Sequence, residues 1–241
     1  MPTVLLVRHG RTTANADGTL AGRTPGIGLD DTGRDQARAL ADRMAALPLR
    51  EVLSSPLERC VRTAESIVAT GGTRTVPRPG LRVDERLAEC DYGEWTGRSL
   101  RELAKDPMWP VVQAHPSAAV FPGGESMRAM QHRAVDAVRE ADARVEAEYG
   151  PDAVWVAVSH GDVIKAVLAD ALGAHLDAFQ RVAVDPCSVS AVRYTPLRPF
   201  VLRLNDTGDL GSLVPPRRRR RRSRRESEAA VGGGAGATDR R

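Results

Sequence analysis

Two short apolar runs in this chain end in the same pair of residues. Thr3–Val7 reads TVLLV and passes directly into Arg8, His9 and Gly10, while Ala153–Val158 reads AVWVAV and passes into Ser159, His160 and Gly161. Runs this short and β-branched, with no polar alternation, predict central strands covered on both faces. Glu51–Ser54 has the same character. Elsewhere the apolar positions take helical spacing. Ala37, Leu40, Ala41, Met44 and Leu47 form one stripe behind Thr32, which predicts a helix capped there. Ser55-Pro56-Leu57-Glu58 predicts a second helix start, with Ser55 as cap, Pro56 in the first helical position and Glu58 closing a capping box. Gly123–Tyr149 carries Met127, Met130, Ala134, Val138, Ala141 and Val145 on one stripe and stops at Gly150. Asp162–Leu172 predicts a helix directly after His160-Gly161, Asp17–Asp31 a loop, and Val189–Tyr194 with Phe200–Leu204 a hairpin through Thr195–Pro199. Strands alternating with helices in this way predict an α/β fold.

Composition changes that picture only at the C-terminus. With 241 residues of which 41% are hydrophobic, one sizeable core is expected, and 4% aromatics make it mostly Val, Leu and Ala. The formal charge of +4 is unevenly spread: residues 216–241 hold ten Arg against Glu226, Glu228 and Asp239, which leaves a mildly acidic remainder. From Val214 onward, PPRRRRRRSRR and then Gly, Ala and Ser cannot bury a core. The expected division is a folded domain over residues 1–213 and a disordered tail over 214–241. Arg217–Arg225, eight arginines interrupted by Ser223, has two readings: a solvated extension without a role, or a candidate sequence-blind contact with a polyanion, nucleic acid or anionic lipid. Cys60, Cys90 and Cys187 form no CxxC pair, which argues against a secreted disulfide framework. No apolar run approaches the roughly 18 residues of a membrane helix, and Arg8 interrupts the N-terminal run before a signal-peptide core could form. The cytoplasm is the expected location.

The chemistry follows from what stands at the strand ends. Ligands in open α/β sheets bind beyond the carboxyl ends of the strands, so two strands ending in His-Gly direct two imidazoles at one place. Arg8-His9-Gly10-Arg11-Thr12-x-x-Asn15 sets His9 between two guanidiniums, which disfavour the imidazolium and keep the ring nucleophilic. The same two arginines, Arg8 and Arg11, supply bidentate donors for a phosphoryl group, Arg59 stands in the first turn of the helix after Glu51–Ser54, Asn15 adds a neutral donor, and the amides of Gly161 and Asp162 a helix N-terminus. A proton donor for a leaving alcohol is expected in Leu87–Trp95, where spacing alone does not choose Glu89 over Asp91 or Glu94. No metal-ligand His spacing and no Walker A pattern occurs. The Cys187-x5-Arg193 spacing of cysteine phosphatases lacks the glycines of a phosphate loop and is read as chance.

LLVRHGRTTAN, LSSPLERCVRTAE, RLAECDYGEWTG, PGGES and VSHGDVIK, in that order, resemble the histidine phosphatase superfamily, also called phosphoglycerate-mutase-like. The resemblance runs from the first strand to about Leu204. It implies a three-layer α/β/α sandwich with a mostly parallel central sheet. It also implies that His9 is the residue phosphorylated, that Arg8, Arg59 and His160 complete the phosphate pocket, and that Glu89 is the general acid and base. Asn15 and Gly22 become phosphate- or substrate-contacting. The expected reaction is transfer of a phosphoryl group from a small monoester through phosphohistidine to water, with no metal or organic cofactor.

Gly93-Glu94-Trp95-Thr96-Gly97 and the short stretch before PGGES resemble the phosphatase branch, where glycolytic mutases carry a longer insertion. A phosphomutase is the alternative reaction, and a polyanion-binding scaffold acting through the basic tail is the alternative of another class. His115, His132 and His175 lack any such context and are read as surface residues. Arg11 either tunes substrate choice or faces solvent.

Overall fold

The computed structural model describes residues 1–73, 76–208 and 232. Along the chain run β1 (Thr3–Arg8), α1 (Thr13–Asp17), α2 (Asp31–Met44), β2 (Leu49–Ser54), α3 (Glu58–Thr70) and β3 (Gly80–Val83). Then come α4 (Leu100–Leu103), α5 (Trp109–Ala114), α6 (Met127–Tyr149), β4 (Val154–Ser159), α7 (Gly161–Ala171), β5 (Val189–Tyr194) and β6 (Pro199–Asp206). The strands form a six-stranded sheet in the order β3-β2-β4-β1-β5-β6. The first four are mutually parallel, and β5 and β6 each pair antiparallel. The expected α/β/α sandwich with a mostly parallel sheet is therefore present.

Side-chain alternation along β1 makes the two cores. Leu5 and Val7 pack with Ala37, Leu40 and Met44 of α2 and Cys60, Ala64 and Ile67 of α3. Val4 and Leu6 enter the opposite core with Met127, Met130, Ala134 and Val138 of α6 and Val163, Ile164 and Val167 of α7. The β4 strand divides in the same way, Val156 and Val158 to the first core and Trp155 and Ala157 to the second. The scarce aromatic residues are concentrated behind the Glu89 segment. Tyr92 and Trp95 each meet Phe121 edge to face at 5.0 and 5.3 Å, and Trp95 stacks on Trp109 at 6.1 Å. Such pairs add about 0.5–1.5 kcal/mol each beyond their buried area.

Helix starts differ from the sequence expectation where a stronger partner takes the capping group. Asp30, not Thr32, caps α2, its carboxylate accepting Gly33 N–H at 2.7 Å, while Thr32 Oγ1 accepts Arg11 Nη2 at 2.7 Å. The third helix begins at Glu58 behind Leu57, which makes no side-chain cap bond; the Ser55 hydroxyl stands ahead of it, bonded to His160 at 2.7 Å and accepting Leu57 N–H at 3.3 Å. The longest helix begins at Met127 behind Ser126, and residues 123–124 belong to the turn before it. Among the described residues no helix is long and apolar enough to cross a membrane. The Arg-rich run 217–225 lies outside the described residues.

Candidate active site

Strand register brings the two histidines together. The β1 and β4 strands pair in parallel with Arg8 opposite Ser159, so the next residue of each, His9 and His160, leaves the sheet at the same level. His9 N–H donates to Ser159 O at 3.0 Å, and the rings meet edge to face at 5.2 Å. β2 ends alongside: Ser55 N–H donates to Val158 O at 2.9 Å. Three adjacent strand ends thus deliver His9, His160 and the start of the helix that carries Arg59.

His9 Nδ1 donates to Gly10 O at 2.7 Å, which fixes the tautomer and leaves Nε2 as the lone-pair nitrogen. Burial, then the charges of Arg59 and Arg8, hold its pKa well below the usual imidazole value. His9 is therefore neutral at neutral pH. Gly10 N–H is held in turn by Thr63 Oγ1 at 3.1 Å.

Arg59 is buried, and its Nη2 donates to Gly22 O at 2.7 Å and lies 3.3 Å from His160 Nδ1. Its Nη1 has no hydrogen-bond partner among the described residues. An unpaired buried guanidinium N–H beside a pocket is a donor aimed at an anion. Gly22 makes this geometry possible, with a φ of +51° and a position where a Cβ would come within 2.7 Å of Thr96 Oγ1. Arg8 is buried deeper, with Nη1 donating to Val184 O at 2.8 Å.

Glu89 is the acid that the fold places in the pocket, while Asp91 and Glu94 do not line it. Burial, then the charge of Asp162, raises the Glu89 pKa to about 7, against the lowering influence of Arg59. Glu89 Oε1 accepts Cys90 N–H at 2.9 Å, and Oε2 stands 3.9 Å from His160 Nδ1. The backbone around it is clamped by Arg133 of α6, whose guanidinium donates to Arg86 O at 2.6 Å, Ala88 O at 2.8 Å and Glu89 O at 3.1 Å. Glu125 holds Arg133 from the other side at 2.6 and 3.0 Å, also receives Asp91 N–H at 2.9 Å, and pairs with Arg23 at 2.9 Å. Arg23 Nε donates to Glu89 O as well, at 2.8 Å.

The pocket is lined by His9, Asn15, Gly22, Arg59 and Glu89, with Ala14, Leu20 and Leu100 supplying an apolar side and Gly232 one further wall. The Asn15 amide oxygen is committed to Thr12 in a capping box, so its amide nitrogen is what it can offer a ligand. Gly161 opens α7 behind His160, which gives that helix no side-chain cap bond. His160 itself is fully buried, and Arg8 is also behind the lining.

Arg11 belongs elsewhere, with Nε bonded to Asp30 at 2.8 Å. Cys187 stands in the turn before β5 and Arg193 within that strand, and neither lines the pocket. His115, His132 and His175 have exposed side chains. The three cysteines are buried and free. Among the described residues no group of three or more His, Cys, Asp or Glu could hold a metal ion. Sequence reasoning missed Ser55 as a partner of His160, the Arg133–Glu125 clamp, and the buried Tyr92–Asp162 pair. Only the last left a signal, an acidic residue directly after a His-Gly strand end.

A family model of the histidine phosphatase superfamily (branch 1) matches residues 4–207. A probable phosphoglycerate mutase GpmB from Cronobacter sakazakii is 31% identical over 197 residues, covering 80% of this chain and 86% of that protein. Phosphoserine phosphatase 1 from Hydrogenobacter thermophilus is 29% identical over 220 residues, covering 88% and 96%. The structure of a mycobacterial glucosyl-3-phosphoglycerate phosphatase in complex with VO3 superimposes with a TM-score of 0.75 at 25% identity, covering 85% of this chain and 98% of the other. The chain belongs to the histidine phosphatase superfamily, an enzyme family of phosphatases and phosphomutases.

Proposed function

We propose that this histidine phosphatase hydrolyses a small phosphate monoester in two steps through a phosphohistidine on His9. The observation that carries the reading is one pocket lined by a neutral His9, the unpaired Nη1 of Arg59 and the raised-pKa carboxyl of Glu89.

In the first step His9 Nε2 attacks phosphorus in line and the P–O ester bond breaks. Arg59 binds the non-bridging oxygens, with Asn15 Nδ2 and the Gly161 amide as further donors. Arg8, buried behind the lining, contributes its positive field and holds His9 deprotonated. His160 is neutral in the free protein, with Nε2 bonded to Ser55. The incoming dianion offsets the field of the arginines, so His160 takes up a proton and donates through Nδ1. Glu89 gives its proton to the leaving alkoxide. In the second step the ionised Glu89 takes a proton from water, whose oxygen attacks phosphorus, and phosphate and neutral His9 are released. Neither step calls for a metal or organic cofactor.

A phosphomutase shares the first step and differs in passing the phosphoryl group to a second alcohol. The relative named as a probable phosphoglycerate mutase keeps this reading in the test. A phosphate-release screen across monoesters, with 3-phosphoglycerate isomerisation followed in parallel with and without 2,3-bisphosphoglycerate, separates the two. Release of phosphate without isomerisation is the expected result. Isomerisation faster than release would overturn the hydrolase reading in favour of the mutase.

A further inference from the structure

A buried carboxylate stands behind one wall of this anion-binding pocket, and the two hydrolytic steps give it no direct task. Asp162, in the first turn of α7, is fully buried. Its Oδ2 accepts the Tyr92 hydroxyl at 2.8 Å and the backbone N–H of Gly232 at 2.9 Å. Its Oδ1 has no hydrogen-bond partner among the described residues. The ammonium of Lys165 is 3.8 Å away and donates to Gln180 Oε1 at 2.9 Å. A carboxylate with spare acceptor capacity is costly to bury and, beside a bound phosphate, opposes binding. Beyond the Tyr92 hydroxyl and the Lys165 ion pair it has capacity for one more donor.

Gly232 marks the place from which that donor comes. It lines the pocket with His9, Arg59 and Glu89 on one side and meets Asp162 on the other. A Cβ on it would lie 2.9 Å from Leu20 Cδ1 and 3.9 Å from the Tyr92 hydroxyl. The space left beside it is about 20 Å³, room for about one water. A monoester group that takes the place of Gly232 removes one of the two hydrogen-bond donors on Asp162 Oδ2 and can supply its own.

We propose that Asp162 is a specificity residue that accepts a hydroxyl or ammonium donor from the carbon skeleton of the substrate, in the place held by Gly232 N–H. The substrate class is then phosphomonoesters bearing such a donor, as against plain alkyl phosphates. The inference rests on the phosphomonoesterase reading and narrows it.

The test compares kcat/KM for n-alkyl phosphates of two to four carbons ending in a methyl, hydroxyl or ammonium group, using the full chain. One donor-bearing chain length is expected to exceed its methyl counterpart by roughly ten- to a hundredfold, the usual value of a hydrogen bond to a charged group. Asp162→Leu flattens that preference. Asp162→Asn, of the same shape, keeps a hydroxyl preference and loses an ammonium preference, which identifies the donor. Gly232→Val, strained at a φ of +75° and crowded against Leu20, lowers KM for the preferred substrate by vacating the place of its donor; this arm stands even if Asp162→Leu does not fold. Equal losses on all substrates in the Asp162 variants, or no preference at any chain length, would overturn the proposal while leaving the hydrolase intact. An unchanged KM in Gly232→Val overturns the assignment of the donor's place. A folded protein that hydrolyses none of the series but releases phosphate from other monoesters overturns this proposal alone, and release from none overturns the hydrolase reading as well.

Discussion

Ser55 Oγ lies 2.7 Å from His160 Nε2, and this bond sets which way the second histidine of the pocket works. With Nε2–H donated to Ser55, Nδ1 is left toward Arg59 Nη2 at 3.3 Å and Glu89 Oε2 at 3.9 Å. Ser55 Oγ also accepts Leu57 N–H at 3.3 Å, so the hydroxyl ties the start of α3 to the ring. Ser55→Ala leaves a buried imidazole N–H unpaired, at a cost of about 1–3 kcal/mol in denaturant unfolding. Releasing the ring is expected to lower kcat/KM by about tenfold, which corresponds to roughly 1.4 kcal/mol of lost transition-state stabilisation. Unchanged turnover would separate Ser55 from catalysis.

His9→Ala is expected to abolish turnover. Rapid quenching of the wild type with a reactive monoester should trap an acid-labile, base-stable phosphoryl group on His9 and none in the variant. A label on another residue removes His9 as the nucleophile.

Glu89 carries the pH dependence. Burial and the neighbouring Asp162 keep its carboxyl protonated up to about pH 7, so it can donate below that value and not above it. Turnover of alkyl phosphates should therefore fall about tenfold per unit above that pH. Turnover of p-nitrophenyl phosphate, whose leaving group departs unaided, should stay nearly flat. In the first step, read as the single-turnover rate of phosphohistidine formation, Glu89→Gln should slow the alkyl esters strongly and the aryl ester little, while hydrolysis of the phosphohistidine slows equally for both. The same shift has a stability sign: the folded pKa exceeds the ordinary carboxyl value of 4.5. Its stabilisation is complete below 4.5 and is lost as pH rises towards about 7. The buried neutral histidines act in the opposite sense below 6.5. Glu89→Gln should remove only the first of these two pH effects in thermal unfolding.

Arg133 is a positioning residue for Glu89, which it reaches only through backbone carbonyls. Arg133→Lys keeps the charge and loses the planar fork that spans three acceptors. An alkyl-phosphate kcat lowered about tenfold or more, with the p-nitrophenyl rate much less affected, would reproduce the signature of Glu89→Gln. Equal losses on both esters would reduce Arg133 to a purely structural part.

The run Arg217–Arg225 is proposed as the polyanion contact. Replacing its eight arginines with serine should abolish salt-sensitive retention on heparin and leave turnover of a small monoester unchanged. Retention that persists in the substituted protein would move the contact to the folded domain.

What the chain's order of residues determined by itself was the layout of strands and which side chains stand at their ends. TVLLV before Arg8-His9 and AVWVAV before Ser159-His160 are local patterns, and a buried parallel strand can be read from local pattern alone. His9, Arg59 and the two His-Gly strand ends were legible for that reason. The acid was legible only through the family resemblance, which points to Glu89: by spacing, Glu89, Asp91 and Glu94 are equivalent. Glu89 lines the pocket because Arg133, more than 40 residues later on α6, grips its backbone while Glu125 holds Asp91 N–H. Gly93 reinforces that difference, with a φ of +50° and a position where a Cβ would come within 2.0 Å of Pro122 O, locking this turn against the PGGES turn. Ser55 fits a helix cap in sequence, but in space its Oγ holds the buried His160 imidazole at 2.7 Å and reaches only Leu57 N–H, ahead of α3, at 3.3 Å. Asp162 could be read as a helix N-terminal acid, but the place of its carboxylate behind the pocket wall depends on Tyr92 and Gly232, which approach it from 70 residues away on either side. Strand ends and reactive side chains are set by neighbours in sequence; which acid is dry, which imidazole nitrogen is free and which donor is left unpaired are set by segments that meet only once the sheet and its helices have packed.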